Sequence, residues 1–205
     1  MDRIPQKTNP KMFDLAVLPI QKALAANLPW LDHAIGICEQ LTDIKNKKPF
    51  NFAALYLSNE QYEQIMPCEE LGNFSFFYLR DPQVTMPKDR NLVKSPYSLI
   101  FWYDLRQVLP EGDERNREEI KGQIMGVLNR LHLAGFEITR IYEKPDNVFS
   151  DFSYDPQQNR NLMHPFAGLR IDGIMTARAD CFTYPSEGVG NGSFDDDSFD
   201  TSSDI

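Results

Sequence analysis

Cysteine is scarce in this chain of 205 residues. Cys38, Cys68 and Cys181 are odd in number and far apart, and no pair has metal-ligand or redox-motif spacing. That excludes a disulfide framework and predicts reduced thiols used as small buried apolar groups. Histidine is equally sparse. His33, His132 and His164 have no second His or Cys three or four residues away, so no zinc-type pair is signalled. His132 is expected near the C-terminus of a helix, where the dipole favours a protonated imidazole. His164, next to Pro165, is expected in a loop. Neither G-x-x-x-x-G-K-[ST] nor G-x-G-x-x-G occurs, which removes the usual phosphate cradles. The run Gly188-Val189-Gly190-Asn191-Gly192 precedes no helical pattern and is expected to be a linker. No run approaches the roughly 20 apolar residues of a membrane span. The opening residues Met1-Asp2-Arg3-Ile4-Pro5 lack the basic-then-apolar order of a signal peptide. A soluble protein, made in the cytoplasm, is the expectation.

Cations are missing from one end. From Pro185 to Ile205 there are six acids (Glu187, Asp195, Asp196, Asp197, Asp200, Asp204) and no Lys or Arg. They account for most of the net charge of −9, leaving −3 for the rest. A mildly acidic body has no clustered cations to release counterions from nucleic acid. The carboxylate pairs Glu69-Glu70 and Glu118-Glu119 fall in a turn and at a helix start, where acids are favoured electrostatically. Asp195-Asp196-Asp197 lacks the spaced ligands and the fixing glycine of a calcium loop. No catalytic, cofactor-binding or metal-binding residue is expected. A Cys181 nucleophile paired with a distant histidine is the enzymatic alternative, without a supporting motif around it.

What the chain does have is hydrophobic patterning, at 41% hydrophobic residues with 14 phenylalanines. Residues 1–11 are polar and read as an extended arm. Met12 to Asn27 is helical in character, with Leu15, Leu18 and Leu24 near one face, and Pro19 is expected to start or kink the helix. Ala34 to Leu41 alternates, with Ile35, Ile37, Glu39 and Leu41 opposite Gly36, Cys38 and Gln40. Thr42 to Pro49 reads as a polar loop and Phe50 to Leu57 as a strand, which together make a hairpin with the basic tip Lys45-Asn46-Lys47-Lys48. The tip is either a solvated loop or a contact for an acidic partner surface. Asn59 to Ile65 reads as a short helix, Asn73 to Leu79 as a strand, and Asp81 to Pro96 as a loop.

Tyr97 to Leu105 is a strand of aromatic and branched residues. Glu118 to Ala134 carries Ile120, Ile124, Val127, Leu128 and Leu131 on one helical face. Asn116 and Glu119 have capping-box spacing, and Gly135 suits a left-handed cap. Gly122 and Gly126 share a face, for close packing either on the sheet or against a neighbouring subunit. Phe136 to Tyr142 is strand-like. Lys144 to Pro165 is polar and expected to loop out, although Phe149, Phe152 and Tyr154 need cover. Leu169 to Ala179 puts Leu169, Ile171, Met175 and Ala177 on one face and Arg170, Asp172 and Arg178 on the other, as in a half-buried strand. Trp30 and Trp102 are expected as core or interface anchors. From Tyr184 the composition turns to Gly, Ser and Asp, either a disordered tail or a docking segment carrying Phe194 and Phe199. The order α-β-β-β-β-α-β-β predicts an α+β fold, a mainly antiparallel sheet with helices packed on one side.

A resemblance then follows on the helix leading to Leu28-Pro29-Trp30-Leu31, the stretch Ala53-Ala54-Leu55-Tyr56-Leu57, Tyr62, and Leu71-Gly72-Asn73-Phe74-Ser75-Phe76-Phe77. The Tyr97–Leu105 strand, the long helix and the final strand extend it from about Phe13 to Cys181. Here the chain resembles the tail-terminator and neck-ring (head-tail connector) proteins of tailed bacteriophages, among them those of crAss-like phages of Bacteroides. The resemblance implies a tail-terminator-like fold and a virion protein without enzymatic activity. It implies a homo-oligomeric ring, hexameric or twelvefold, around the DNA channel, with portal or connector and tail proteins as neighbours. DNA would pass without sequence-specific binding, and no membrane or cofactor is involved. On this view residues 1–11 form an arm, 12–183 the ring-forming domain, and 184–205 an acidic tail. Lys45, Lys47, Lys48, Phe194, Asp195, Asp196, Asp197 and Phe199 are the expected partner contacts. The alternative function is a monomeric ferredoxin-like binding module.

Overall fold

The structure is a computed structural model and describes residues 1–45, 47–58, 61–79, 92–109, 117–131, 135–153 and 165–178. Its elements are α1 (Phe13–Asn27), β1 (His33–Lys45), β2 (Lys48–Ser58), β3 (Gln61–Ile65), β4 (Phe74–Tyr78), β5 (Leu92–Asp104), α2 (Leu105–Val108), α3 (Arg117–Arg130), β6 (Phe136–Tyr142), α4 (Pro145–Val148) and β7 (Phe166–Arg178). The seven strands form one sheet in the order β3-β2-β1-β4-β5-β7-β6. Every neighbouring pair is antiparallel except β1 and β4, which run parallel. The mixed α+β class and the mostly antiparallel sheet are as expected. The parallel pair at the centre and the strand at Gln61–Ile65, in place of a short helix, are not. Tyr62 in β3 packs its ring edge-on against Tyr56 of β2, 5.2 Å between centroids, a cross-strand pair that favours the extended form.

The core lies on both faces of the sheet. On the first face α1 and α3 cover Phe77, Leu99, Phe101, Tyr103, Leu169, Ile171 and Met175. Ile120, Ile124, Val127 and Leu128 of α3 are buried and Leu131 packs beside them, as the spacing predicts. In α1 the buried stripe is Phe13, Val17, Ile20 and Leu24, while Leu15 is exposed. The helix runs through Pro19, which faces solvent. Interior proline costs about 3 kcal/mol, and four buried apolar side chains at roughly 1.5–3 kcal/mol each outweigh it. Gly122 and Gly126 do not touch the sheet. Among the described residues a Cβ at Gly122 would meet nothing within 4 Å, and one at Gly126 would meet only Arg130 of its own helix. Gly135 takes a φ of +135°, which a side chain would oppose. Asn116, the expected cap, and His132 and His164 lie outside the described residues.

The second face carries Phe74, Phe76, Ile100 and Trp102, covered by Val148, Phe149 and Phe152. The polar stretch after Lys144 therefore folds back at its start instead of looping out; Tyr154 lies outside the described residues. Helices thus flank both faces, the two long ones on one side and the single turn α4 on the other. Gly168 permits this approach, because a Cβ there would stand 2.9 Å from Val148 and 3.1 Å from the Phe101 carbonyl oxygen. The last strand starts at Phe166, and β5 starts at Leu92, within the expected loop.

Two departures from simple alternation matter for the hairpin. His33 and Ala34 of β1 pair with Phe74 and Ser75, and Ile37 and Cys38 pair with Phe77 and Tyr78. Two residues of β1 thus oppose one of β4, a bulge at Ile35-Gly36 that shifts the side-chain parity. Ile35 and Cys38 consequently share the second face, while Ile37 packs with the first, against the expected grouping of Ile35 with Ile37. The arm is not free either. The Arg3 carbonyl accepts from Ala34 N at 2.8 Å, Thr8 N donates to the Leu57 carbonyl at 3.1 Å, and Pro5 is buried. β1 uses residues 33–38 for β4 and 39–45 for β2, and the arm reaches both strands where they diverge.

Candidate assembly surface

Past Cys38, β1 leaves the body of the sheet. Its residues Glu39–Lys45 pair with Lys48–Ala54 of β2. At about 3.3 Å per residue this is a ribbon of roughly 20 Å beyond the β1–β4 pairing. The stretch expected to be a loop, Thr42 to Pro49, is strand up to Lys45 and again from Lys48, and Asn46 lies outside the described residues. Lys47 takes a φ of +62°, the left-handed geometry that tight hairpins require. Thr42 Oγ1 donates to Asn51 Oδ1 across the ribbon at 2.8 Å. At the tip Lys45, Lys47 and Lys48 are all exposed, and Ile44 is 75% exposed. Lys45 Nζ lies 4.1 Å from the centroid of the Phe50 ring, and Phe50 stacks on Phe52. Phe50 is itself buried beneath that lysine, so the tip presents Ile44, the partly exposed Phe52 and the three lysines to solvent. The other expected contacts, Phe194, Asp195, Asp196, Asp197 and Phe199, lie outside the described residues, as does Cys181.

The ribbon is anchored at its root. Gln40 Nε2 donates to the Asp151 carbonyl, and Ser153 N donates to the Asn51 carbonyl at 2.7 Å. Asp151 in turn pairs with Arg170, whose guanidinium is almost fully buried. Arg170 Nε donates to Asp172 Oδ1 at 2.8 Å, Nη2 to Ser98 Oγ at 2.8 Å and Nη1 to Ser150 Oγ at 3.2 Å. Burial by itself would lower the guanidinium pKa; the hydrogen bonds it donates to Asp172 and Asp151 outweigh it and hold it above its ordinary value. Nothing in the alternation of β7 distinguishes Arg170 from a solvent-facing residue. The signal available in the sequence was the pair Phe149 and Phe152, whose need for cover places a lid over that face.

A cleft lies between the C-terminal end of α1, α2 and α3, with a volume of about 550 Å3. Asn27, Trp30, Gln107, Gln123 and Arg130 line it, and Trp30 Nε1 donates to Gln123 Oε1 across it at 2.9 Å. Trp30 is thus half-buried with its N–H satisfied, whereas Trp102 is wholly core. No group of three His, Cys, Asp or Glu side chains able to hold a metal occurs among the described residues. Cys38 is buried, and burial pushes its thiol far up, so little thiolate forms near neutrality. No helix among the described residues is long and apolar enough to cross a membrane. Comparison with protein-family models, with curated proteins and with solved structures found no match to the chain.

Proposed function

We propose that the chain is a structural virion protein that forms a ring in a phage neck, joining portal or connector to tail around the DNA channel. The observation that carries this reading is the projecting β1–β2 ribbon, whose exposed tip joins Ile44 to three lysines. Ile44, exposed at the tip, gains apolar contact only against another surface. The sheet supports the same reading. It is open, and its two edges, β3 and β6, differ in sequence. Pairing of one edge with the other on the next copy uses two different surfaces, so it propagates head to tail and makes a ring when the rotation per copy closes. The mildly acidic body suits a channel that DNA slides through without adhering.

The test is native mass spectrometry with electron microscopy of the purified chain, alone and mixed with candidate phage portal, connector and tail proteins. Closed hexameric or twelvefold rings are expected in at least one mixture. Replacing residues 42–51 by a tight turn should leave the fold intact and abolish ring formation. A chain that stays monomeric in every mixture, or open filaments in place of rings, overturns the reading.

A further inference from the structure

We infer that the lysine tip of the β1–β2 ribbon is the docking site for the chain's own acidic C-terminal segment, residues 185–205. The strand register brings the two together. Cys38 of β1 is level with Tyr78, Tyr78 with Ser98, and Ser98 with Asp172. β1 and β4 run parallel, and β5 is antiparallel to both β4 and β7, so β1 and β7 point the same way. Lys45 lies seven residues beyond Cys38, and Arg178, the last residue of β7, lies six beyond Asp172. Arg178 therefore stands at the end of the sheet where the tip projects, and almost at its height. Three strand spacings separate β1 from β7, about 14 Å at 4.7–4.9 Å each.

Chain length and chemistry agree with that placement. Fifteen residues link Arg178 to Phe194. A flexible segment of that length has a root-mean-square span of about 20–24 Å, which matches the gap with little strain. At such a match the effective concentration is in the millimolar range, so a weak contact is sufficiently populated. The segment carries six acids and no cation, while the tip offers Lys45, Lys47 and Lys48, with Lys94 of β5 exposed toward the same end. Phe194 and Phe199 supply apolar groups for the exposed Ile44 and the partly exposed Phe52. In the free subunit the acidic segment covers the surface that assembly needs, and a neighbour must displace it. This role in assembly rests on the proposed function; the docking itself does not.

The experiment uses backbone amide resonances of the isotopically labelled chain. Truncation after Tyr184 is expected to shift Ile44, Lys45, Lys47 and Lys48 at low salt, with the rest of the sheet unmoved. A synthetic peptide of residues 185–205 added to the truncated chain should restore the original positions. Its affinity should fall at least fivefold between about 0.05 and 0.5 M NaCl, as screening shortens the reach of the charges. The combined K45E, K47E and K48E substitutions, all on exposed residues, should remove the response while the core resonances stay in place. Phe194→Ala with Phe199→Ala in the peptide should weaken it without abolishing salt sensitivity. Tip resonances that ignore truncation, or shifts that map to the cleft between α1, α2 and α3, overturn the inference. Shifts in the full chain that depend on protein concentration do so as well, since the segment would then dock on a second copy.

Discussion

The two faces of the sheet are built on different physical terms. Under α1 and α3 the buried side chains are almost all apolar, and the helices hold themselves on by area. On the opposite face a smaller apolar cluster is closed by the short segment 145–153, which is latched by the buried Arg170–Asp151 pair. Apolar packing is non-directional and tolerates adjustment. A buried ion pair is directional, and it costs desolvation that only its full set of partners offsets. The first face therefore supplies stability, while the second fixes where one segment sits and, through Gln40 and Asn51, the root of the projecting ribbon.

The sharpest way to break this contrast is Arg170→Ala. It leaves Asp151 buried without its cation and is expected to cost about 3–5 kcal/mol in denaturant unfolding. Protease cleavage near residues 145–153 should rise in the same variant. A loss below about 1 kcal/mol would mean that the latch is solvated and that the two faces do not differ. Next, Leu128→Ala removes apolar contact only, and about 2–5 kcal/mol is expected. Amide exchange should then loosen α3 and leave the ribbon unchanged.

Lys121 links α3 to β6 through Glu143, at 2.7 Å, and pairs with Glu118 at 2.6 Å. The hydrogen bonds it donates to Glu118 and Glu143 raise its pKa above the ordinary 10.5. A raised folded pKa gives stability that is fully present below the unfolded value and is lost as pH rises through the folded one. A Lys121→Met variant is therefore expected to lose little at neutral pH, at most about 1 kcal/mol for so exposed a pair. The gap between it and the parent should close above pH 10.5, which pH-dependent thermal melts would show. The smallest effect concerns the apolar face itself. Ser95 Oγ and Tyr97 Oη are buried there with no hydrogen-bond partner among the described residues. Removing an unsatisfied hydroxyl recovers its desolvation cost, so Tyr97→Phe and Ser95→Ala should be neutral or stabilising by up to about 1 kcal/mol each. A marked destabilisation on either would point to an ordered water on the first face and weaken the contrast between the two.

Much of this was legible locally. The α3 stripe from Ile120 to Leu128, the aromatic strand Ser98–Asp104 and the odd-numbered face of β7 follow from periods of 3.6 and 2. The candidate surface was half legible. The lysines are visible as a charge cluster, but read alone they implied a loop, whereas cross-strand pairing to Lys48–Asn51 extends the ribbon to Lys45. The α1 stripe was misread because Leu15 and Leu18 look as hydrophobic as Val17 and Ile20. Which of them is buried depends on where the sheet lies.

By itself the sequence determined the class of each long element, the buried face of α3 and β7, and the separation of charge between an acidic C-terminal segment and a lysine tip. Local periodicity and composition need no partner to be read. Only the tertiary structure decided the parallel pairing of β1 with β4, the bulge that sends Ile35 and Ile37 to opposite faces, the docking of the arm between β1 and β2, and the burial of Arg170. Each depends on a segment distant in sequence arriving at a particular register. One residue of register inverts a strand's faces. A polar side chain becomes a core residue only when another part of the chain brings both its cover and its counter-charge.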